Sequence, residues 1–291
     1  MCDEHFEEDL ANYTRFPPLT RRQFAAASIG AGVLLTLPRA ADALDVKESE
    51  VEVKTPDGVA DCYFVHPATG TGAGVIVWPD ILGLRPAFRQ MGKRLAESGY
   101  AVLTVNPFYR QKKAPVVPAG ASFADQATRD IVMPLAKSLS ATTNTSDAKA
   151  FVAFLDSQAA VDKKRKIGTT GYCMGGPIVM RTAAAAPDRI GAGASFHGGG
   201  LVTKTPDSPH LLIPTMKAHF LFAVAENDDQ REPDAKNVLR DEFAKAKLPA
   251  EIEVYAGAAH GWCPPDSAVY NQKQAERAWE RLLALFKTAL A

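Results

Sequence analysis

Two short runs, Gly74–Trp78 and Ala101–Val105, are continuous apolar stretches but for Thr104, and residues 88–98 between them carry apolar side chains at helical spacing before closing on Gly99. A strand apolar on both faces has to be covered on both, which is the situation of a parallel strand sandwiched between helices. The three pieces therefore read as a β-α-β unit, and the rest of the chain continues the alternation. An opening pair of strands, 51–54 and 60–65, brackets the turn Pro56-Asp57-Gly58. Later strands are expected at 166–172, 193–197, 220–225 and 252–255, with helices at 147–158, 176–186, 234–246 and 268–291. No repeat or long linker interrupts this order, so the expectation is one α/β domain with a doubly wound, mostly parallel sheet. Residues 111–121, rich in Pro, Ala and Lys, follow a strand end and read equally as a rim or lid of the crevice or as a plain surface loop.

The 33 basic residues balance 33 acidic ones, and no basic block or basic-aromatic stripe gives nucleic acid a reason to bind. Cys2, Cys62, Cys173 and Cys263 show neither disulfide-framework nor zinc-ligand spacing, so no metal is expected. Pairing of Cys62 with Cys263 stays open at this level.

The first 43 residues differ in kind. Arg21-Arg22-Gln23-Phe24 leads into an uncharged small and apolar run that ends at Leu37, and Ala41-Asp42-Ala43 supplies small residues at a cleavage position. The run is shorter than the roughly 20 residues of a membrane span and suits a signal-peptide core. The arginine pair resembles a bacterial twin-arginine signal. The expectation is a signal peptide over 1–43 handled by the twin-arginine export machinery, a mature domain over 44–291, and a periplasmic or otherwise exported product without stable membrane association after cleavage.

The chemistry concentrates at Gly171-Tyr172-Cys173-Met174-Gly175-Gly176, between an apolar run and an alanine-rich helical segment. This is the form G-x-nucleophile-x-G at a strand-to-helix turn, where glycines permit the bend that lifts the central side chain into the crevice. Cysteine stands where serine is usual, and a thiol ionises more readily than a hydroxyl. The N–H of Met174 then serves as half of an oxyanion hole. A cysteine nucleophile calls for an acid and then a histidine at later strand ends. Glu226-Asn227-Asp228-Asp229 follows one strand, and His260 follows the next. Either Asp228 or Asp229 can serve as the acid; His197, also at a strand end, reads as a pocket-lining, substrate-binding residue because it precedes the acid.

With these motifs in place the sequence resembles the dienelactone hydrolase family of the α/β-hydrolase superfamily, over most of the chain beyond residue 51. The anchors are the Gly171–Gly176 elbow, the D-x-x-x-P segment Asp229 to Pro233, and Ala256-Gly257-Ala258-Ala259-His260-Gly261. Pro79-Asp80-Ile81-Leu82-Gly83 and Asn106-Pro107-Phe108-Tyr109-Arg110 match two further segments. The resemblance implies an α/β-hydrolase fold and a Cys173-Asp229-His260 triad acting on a small-molecule lactone or ester, with no cofactor. It also implies oxyanion donors at Met174 and Ile81, Asp80 as an acid that modulates the thiol, and Arg110 as a clamp for a substrate carboxylate. Two departures bear on substrate. The family has glutamate at the position of Asp80, and a second arginine at the position of Pro264. A general carboxylesterase and a non-catalytic binding protein on the same fold are the alternatives.

Overall fold

The computed structural model describes residue 37 and residues 43–291. The signal-peptide reading, with Arg21-Arg22 and the apolar run, falls almost entirely outside these residues. Among the described residues eight strands form one sheet: β1 (Val46–Thr55), β2 (Gly58–Pro67), β3 (Gly74–Trp78), β4 (Ala101–Val105), β5 (Ile167–Tyr172), β6 (Ile190–Phe196), β7 (His219–Ala225) and β8 (Ala250–Tyr255). Their spatial order is β1-β2-β4-β3-β5-β6-β7-β8. β1 and β2 form an antiparallel hairpin, β2 runs antiparallel to β4, and every pairing from β4 to β8 is parallel.

Alternation along the central strands sorts the core into two faces. Ile76 and Trp78 of β3 point into one apolar cluster, with Phe151 and Leu155 of α3 (Ala141–Ser157), Ile178 and Ala183 of α4 (Gly175–Ala185), and Leu239 and Phe243 of α6 (Ala235–Ala246). Val75 and Val77 point to the opposite cluster, with Phe88, Met91 and Leu95 of α1 (Pro86–Glu97) and Ala278, Leu282 and Phe286 of α7 (Gln272–Ala289). Those α7 residues recur every four positions, which makes one apolar stripe. Phe286 lies edge-on to Tyr100, with ring centroids 5.4 Å apart, and a Cβ on Gly168 would come 2.9 Å from its ring. A side chain buried this fully contributes roughly 1.5–3 kcal/mol. The two buried cysteines lie in opposite clusters, Cys62 in the first and Cys263 in the second, and both are free thiols.

Two helices lie outside the expected set. α2 (Gln126–Lys137) contains Pro134, and α5 (Glu226–Arg231) is a short acidic turn after β7. α3 begins earlier than its apolar pattern, because Ser140 and Thr143 cap it reciprocally. The loop from 111 to 125 is neither an open lid nor a plain surface loop, since Val116 and Val117 pack with Phe108 and Val132 in a third cluster.

β3 is flanked by β4 on one side and β5 on the other, so the chain reverses its winding between β3 and β5. Ligands of open α/β sheets bind beyond the strand ends at such a switch point. The loop carrying Asp80 and Ile81 leaves β3 there, and the elbow carrying Cys173 leaves β5 beside it. Among the described residues no helix is long and apolar enough to cross a membrane.

Candidate active site

Cys173 sits at φ +52°, one of three non-glycine residues with positive φ among those described. Its neighbours hold it in that left-handed conformation. Cys173 N–H donates to the Phe196 carbonyl at 3.0 Å, and its own carbonyl accepts from Gly176 N–H at 2.9 Å, which starts α4. The glycines are needed for close approach. A Cβ on Gly171 would stand 2.2 Å from the Gly175 carbonyl oxygen, and one on Gly175 would stand 2.5 Å from that of Trp78. The end of β3 and the elbow therefore touch backbone to backbone, and no larger residue fits between them. Among the described residues, neither Ile81 nor Met174 spends its N–H on a carbonyl in the turns and caps of this region. Strain at a position so fully determined is typical of functional sites.

His260 follows β8 and reaches back to this elbow. Its Nδ1 lies 2.7 Å from Oδ2 of Asp228, and its backbone N–H donates to Oδ1 of Asn227 at 2.8 Å. Burial alone would lower the pKa of the imidazolium. The Asp228 carboxylate and the Cys173 sulfur, which is also within hydrogen-bonding reach, outweigh that and hold His260 well above an ordinary histidine. Asp228 is nine-tenths buried, and its other oxygen accepts from Nη2 of Arg231 at 3.0 Å.

The expected acid, Asp229, is not the histidine's partner. It pairs with Nζ of Lys236 at 2.6 Å instead. The reason is local: β7 runs directly into α5, and neighbouring residues on a helix point about 100° apart, so only one of two adjacent aspartates can face His260. Position relative to Pro233 does not decide which one does.

Three further expectations meet different geometry. Asp80 is committed elsewhere than the thiol: Oδ1 accepts from Leu82 N–H at 2.9 Å and from Arg85 Nη1 at 2.6 Å, and Oδ2 accepts from Arg85 Nη2 at 3.0 Å. Arg110 is no open clamp. Its guanidinium binds Asp147 through two bonds of 2.7 Å and also binds Asp57 in the β1-β2 turn. Asp147 is only 1% exposed, which makes Arg110 the neutralising partner of a buried carboxylate. His197 is 1% exposed and does not line an open pocket. It packs behind His260, with ring centroids 5.1 Å from His260 and 5.0 Å from Trp262. Among the described residues neither ring nitrogen has a hydrogen-bond partner, and burial together with the nearby His260 pushes its pKa well below the usual value.

A further participant is Arg85, whose guanidinium joins the loop after β3 to the loop after β8. Nε and Nη2 donate to Asp266 at 2.7 and 2.9 Å while Nη1 and Nη2 hold Asp80. No spacing rule links positions 85 and 266, so only the folded chain shows the pair. Among the described residues no group of three or more His, Cys, Asp or Glu side chains is arranged to hold a metal ion.

The dienelactone hydrolase family profile matches residues 60–290, which takes in every strand from β3 to β8 and all the site residues above. The chain belongs to the dienelactone hydrolase family. It is accordingly a hydrolase of the ester- or lactone-cleaving type. A carboxymethylenebutenolidase of Rhodococcus opacus is 26% identical over 244 residues, covering 81% of this chain and 90% of its own. The dienelactone hydrolase of Anabaena variabilis has the same fold, with a TM-score of 0.59 at 17% identity over 84% of this chain and 99% of its own. A dienelactone hydrolase-like promiscuous phosphotriesterase from metagenomic libraries superposes at a TM-score of 0.69, with 20% identity and coverage of 84% and 99%. At such identities the likeness to solved structures speaks for the fold, and the chemistry has to be argued from the site.

Proposed function

We propose that this family member cleaves a small lactone or carboxylic ester through Cys173, with His260 as proton carrier and Asp228 as the acid that orients it. The observation that carries the reading is one chain of contacts: a cysteine lifted at φ +52°, a histidine beside it, and a buried aspartate on that histidine's far nitrogen. With Nδ1 turned to Asp228, Nε2 is left to take the thiol proton. The thiolate attacks the carbonyl carbon, and the resulting oxyanion is met by the N–H groups of Met174 and Ile81. Collapse breaks the bond to the leaving oxygen, which receives its proton from His260 and leaves a thioester on Cys173. His260 then deprotonates a water that attacks the thioester, releasing the carboxylic acid and returning the proton to sulfur. The lactone class is drawn from the Rhodococcus relative's name and the simple ester class from the chemistry of the site.

The test is hydrolysis of a dienelactone and of a neutral aryl ester by the purified chain, with Cys173→Ala as blank. Loss of turnover in a variant that still folds supports the nucleophile. Equal turnover in the two proteins removes it, and turnover of neither compound by the unaltered chain favours a non-catalytic binding protein. The proposal includes export to the bacterial periplasm by the twin-arginine machinery, supported by Arg21-Arg22 and the apolar run behind it. Exchanging both arginines for lysine is expected to retain the protein in the cytoplasm, and undiminished export refutes this part.

A further inference from the structure

Arg85 uses all five of its N–H donors inside the protein. Nε serves Asp266, Nη1 serves Asp80 and the Gly83 carbonyl, and Nη2 serves both carboxylates. A guanidinium has five donors and no acceptor, so none remains for a substrate. The three side chains differ in exposure: Arg85 is 8% exposed, Asp80 13% and Asp266 44%. Two carboxylates on one guanidinium leave one negative charge in excess, and the solvent-facing member that presents it is Asp266. The loop bearing Asp266 is pinned, because Ser267 N–H donates to the Pro264 carbonyl at 3.0 Å and Asn271 N–H to that of Trp262 at 3.1 Å. The charge thus stands at a fixed place between the oxyanion loop after β3 and the histidine loop after β8. The other nearby charges do not offset it. Asp228 is matched by Arg231, a proton taken up by His260 is matched by the sulfur charge left on Cys173, and Arg110 faces two carboxylates, Asp57 and Asp147.

We propose that Asp266 is a specificity-determining residue that disfavours acyl groups ending in a carboxylate and so selects neutral esters and lactones. This rests on the hydrolase reading above and names the substrate class of the same site. Unit charges about 7 Å apart in a half-exposed site, with an effective dielectric of about 40, repel enough to change kcat/KM by roughly five- to tenfold.

The experiment compares the 4-nitrophenyl ester of adipic acid with that of its monoamide, two substrates of nearly equal shape that differ by one charge. Both are run on the full chain, on Asp266→Asn and on the Cys173→Ala blank. The unaltered chain is expected to favour the amide. In Asp266→Asn the acid-to-amide ratio of kcat/KM rises about five- to tenfold, while Arg85 stays held by Asp80. Raising salt from about 0.05 to 0.5 M lifts the ratio of the unaltered chain and leaves that of Asp266→Asn flat, because a half-exposed charge is screened. A ratio that is the same in both proteins, or one that ignores salt in the unaltered chain, overturns the proposal. The salt series needs no variant, so a flat ratio in the unaltered chain overturns the proposal even if Asp266→Asn does not fold. Hydrolysis of neither ester above the blank overturns the hydrolase reading itself, and this inference with it.

Discussion

Replacing Asp228 by asparagine should cost far more activity than the same change at Asp229, and the structure sets both magnitudes. Asp228 is 8% exposed at its side chain and lies 2.7 Å from His260 Nδ1. In asparagine one carboxylate oxygen becomes an NH₂ group, which turns a donor toward a ring nitrogen that must itself donate and favours the wrong tautomer. The imidazolium that forms during attack also loses its counter-charge. With charge centres about 4 Å apart and an effective dielectric of about 20, that attraction is about 4 kcal/mol, or roughly a thousandfold in rate. Asp229 pairs with Lys236 where both side chains are 21% exposed. A pair of that kind contributes about 0.2–1 kcal/mol to stability and nothing to the histidine. The assay is kcat on a neutral aryl ester, with each variant's fold checked by circular dichroism and thermal melting. Asp228→Asn is expected to fall by about a hundred- to ten-thousandfold and Asp229→Asn to stay within about twofold. A larger loss at Asp229 would show that the hydrogen bond to Asp228 does not organise the catalytic histidine.

Arg110→Ala should behave as a stability variant. It strips the ion pair from Asp147, 1% exposed, at a cost of about 3 kcal/mol, so the melting temperature falls while the preference between anionic and neutral esters holds; a changed preference restores Arg110 as a clamp. Gly171→Ala forces a Cβ to within 2.2 Å of the Gly175 carbonyl oxygen, and should cost roughly 3 kcal/mol or more in a denaturant titration as well as activity; a neutral substitution would mean the elbow is looser than described. His197, buried and held neutral, binds a proton more readily in the unfolded chain, so stability should be lost as pH falls below about 6.5, by up to about 1.4 kcal/mol per pH unit. His260 shifts the opposite way: its contribution is present in full below that pH and is lost only as pH rises through its raised folded value. His197→Asn tolerates the left-handed φ of +40° and should flatten the acid limb of a stability-against-pH curve, and an unchanged slope refutes the assignment.

The elements legible in the sequence were those with a local cause. β3 and β4 report burial on both faces through unbroken apolar runs, and α1 and α7 report it on one face through a period near four. The elbow was legible because its glycines are sequence neighbours of the residue they serve. α2 escaped because its internal Pro134 argues against a helix in spite of an amphipathic pattern, and α5 because an acidic turn of six residues is too short to show a period. At the site, His260 and the region of the acid followed from chain order along the strand ends. The choice between Asp228 and Asp229 did not, since adjacent residues share every long-range sequence cue.

The sequence by itself determined the class of fold, the glycine-flanked elbow at Cys173 and the chain order of the residues proposed as nucleophile, acid and histidine, because these depend on periodicity and on residues a few positions apart. The tertiary structure alone decided how charges are shared. Arg110 went to Asp147 and Asp57, Arg85 to Asp80 and Asp266, and Asp228 to His260 with Arg231. A buried charge takes whichever opposite charge the packed chain brings within hydrogen-bonding distance, and Arg85 and Asp266 are 181 positions apart.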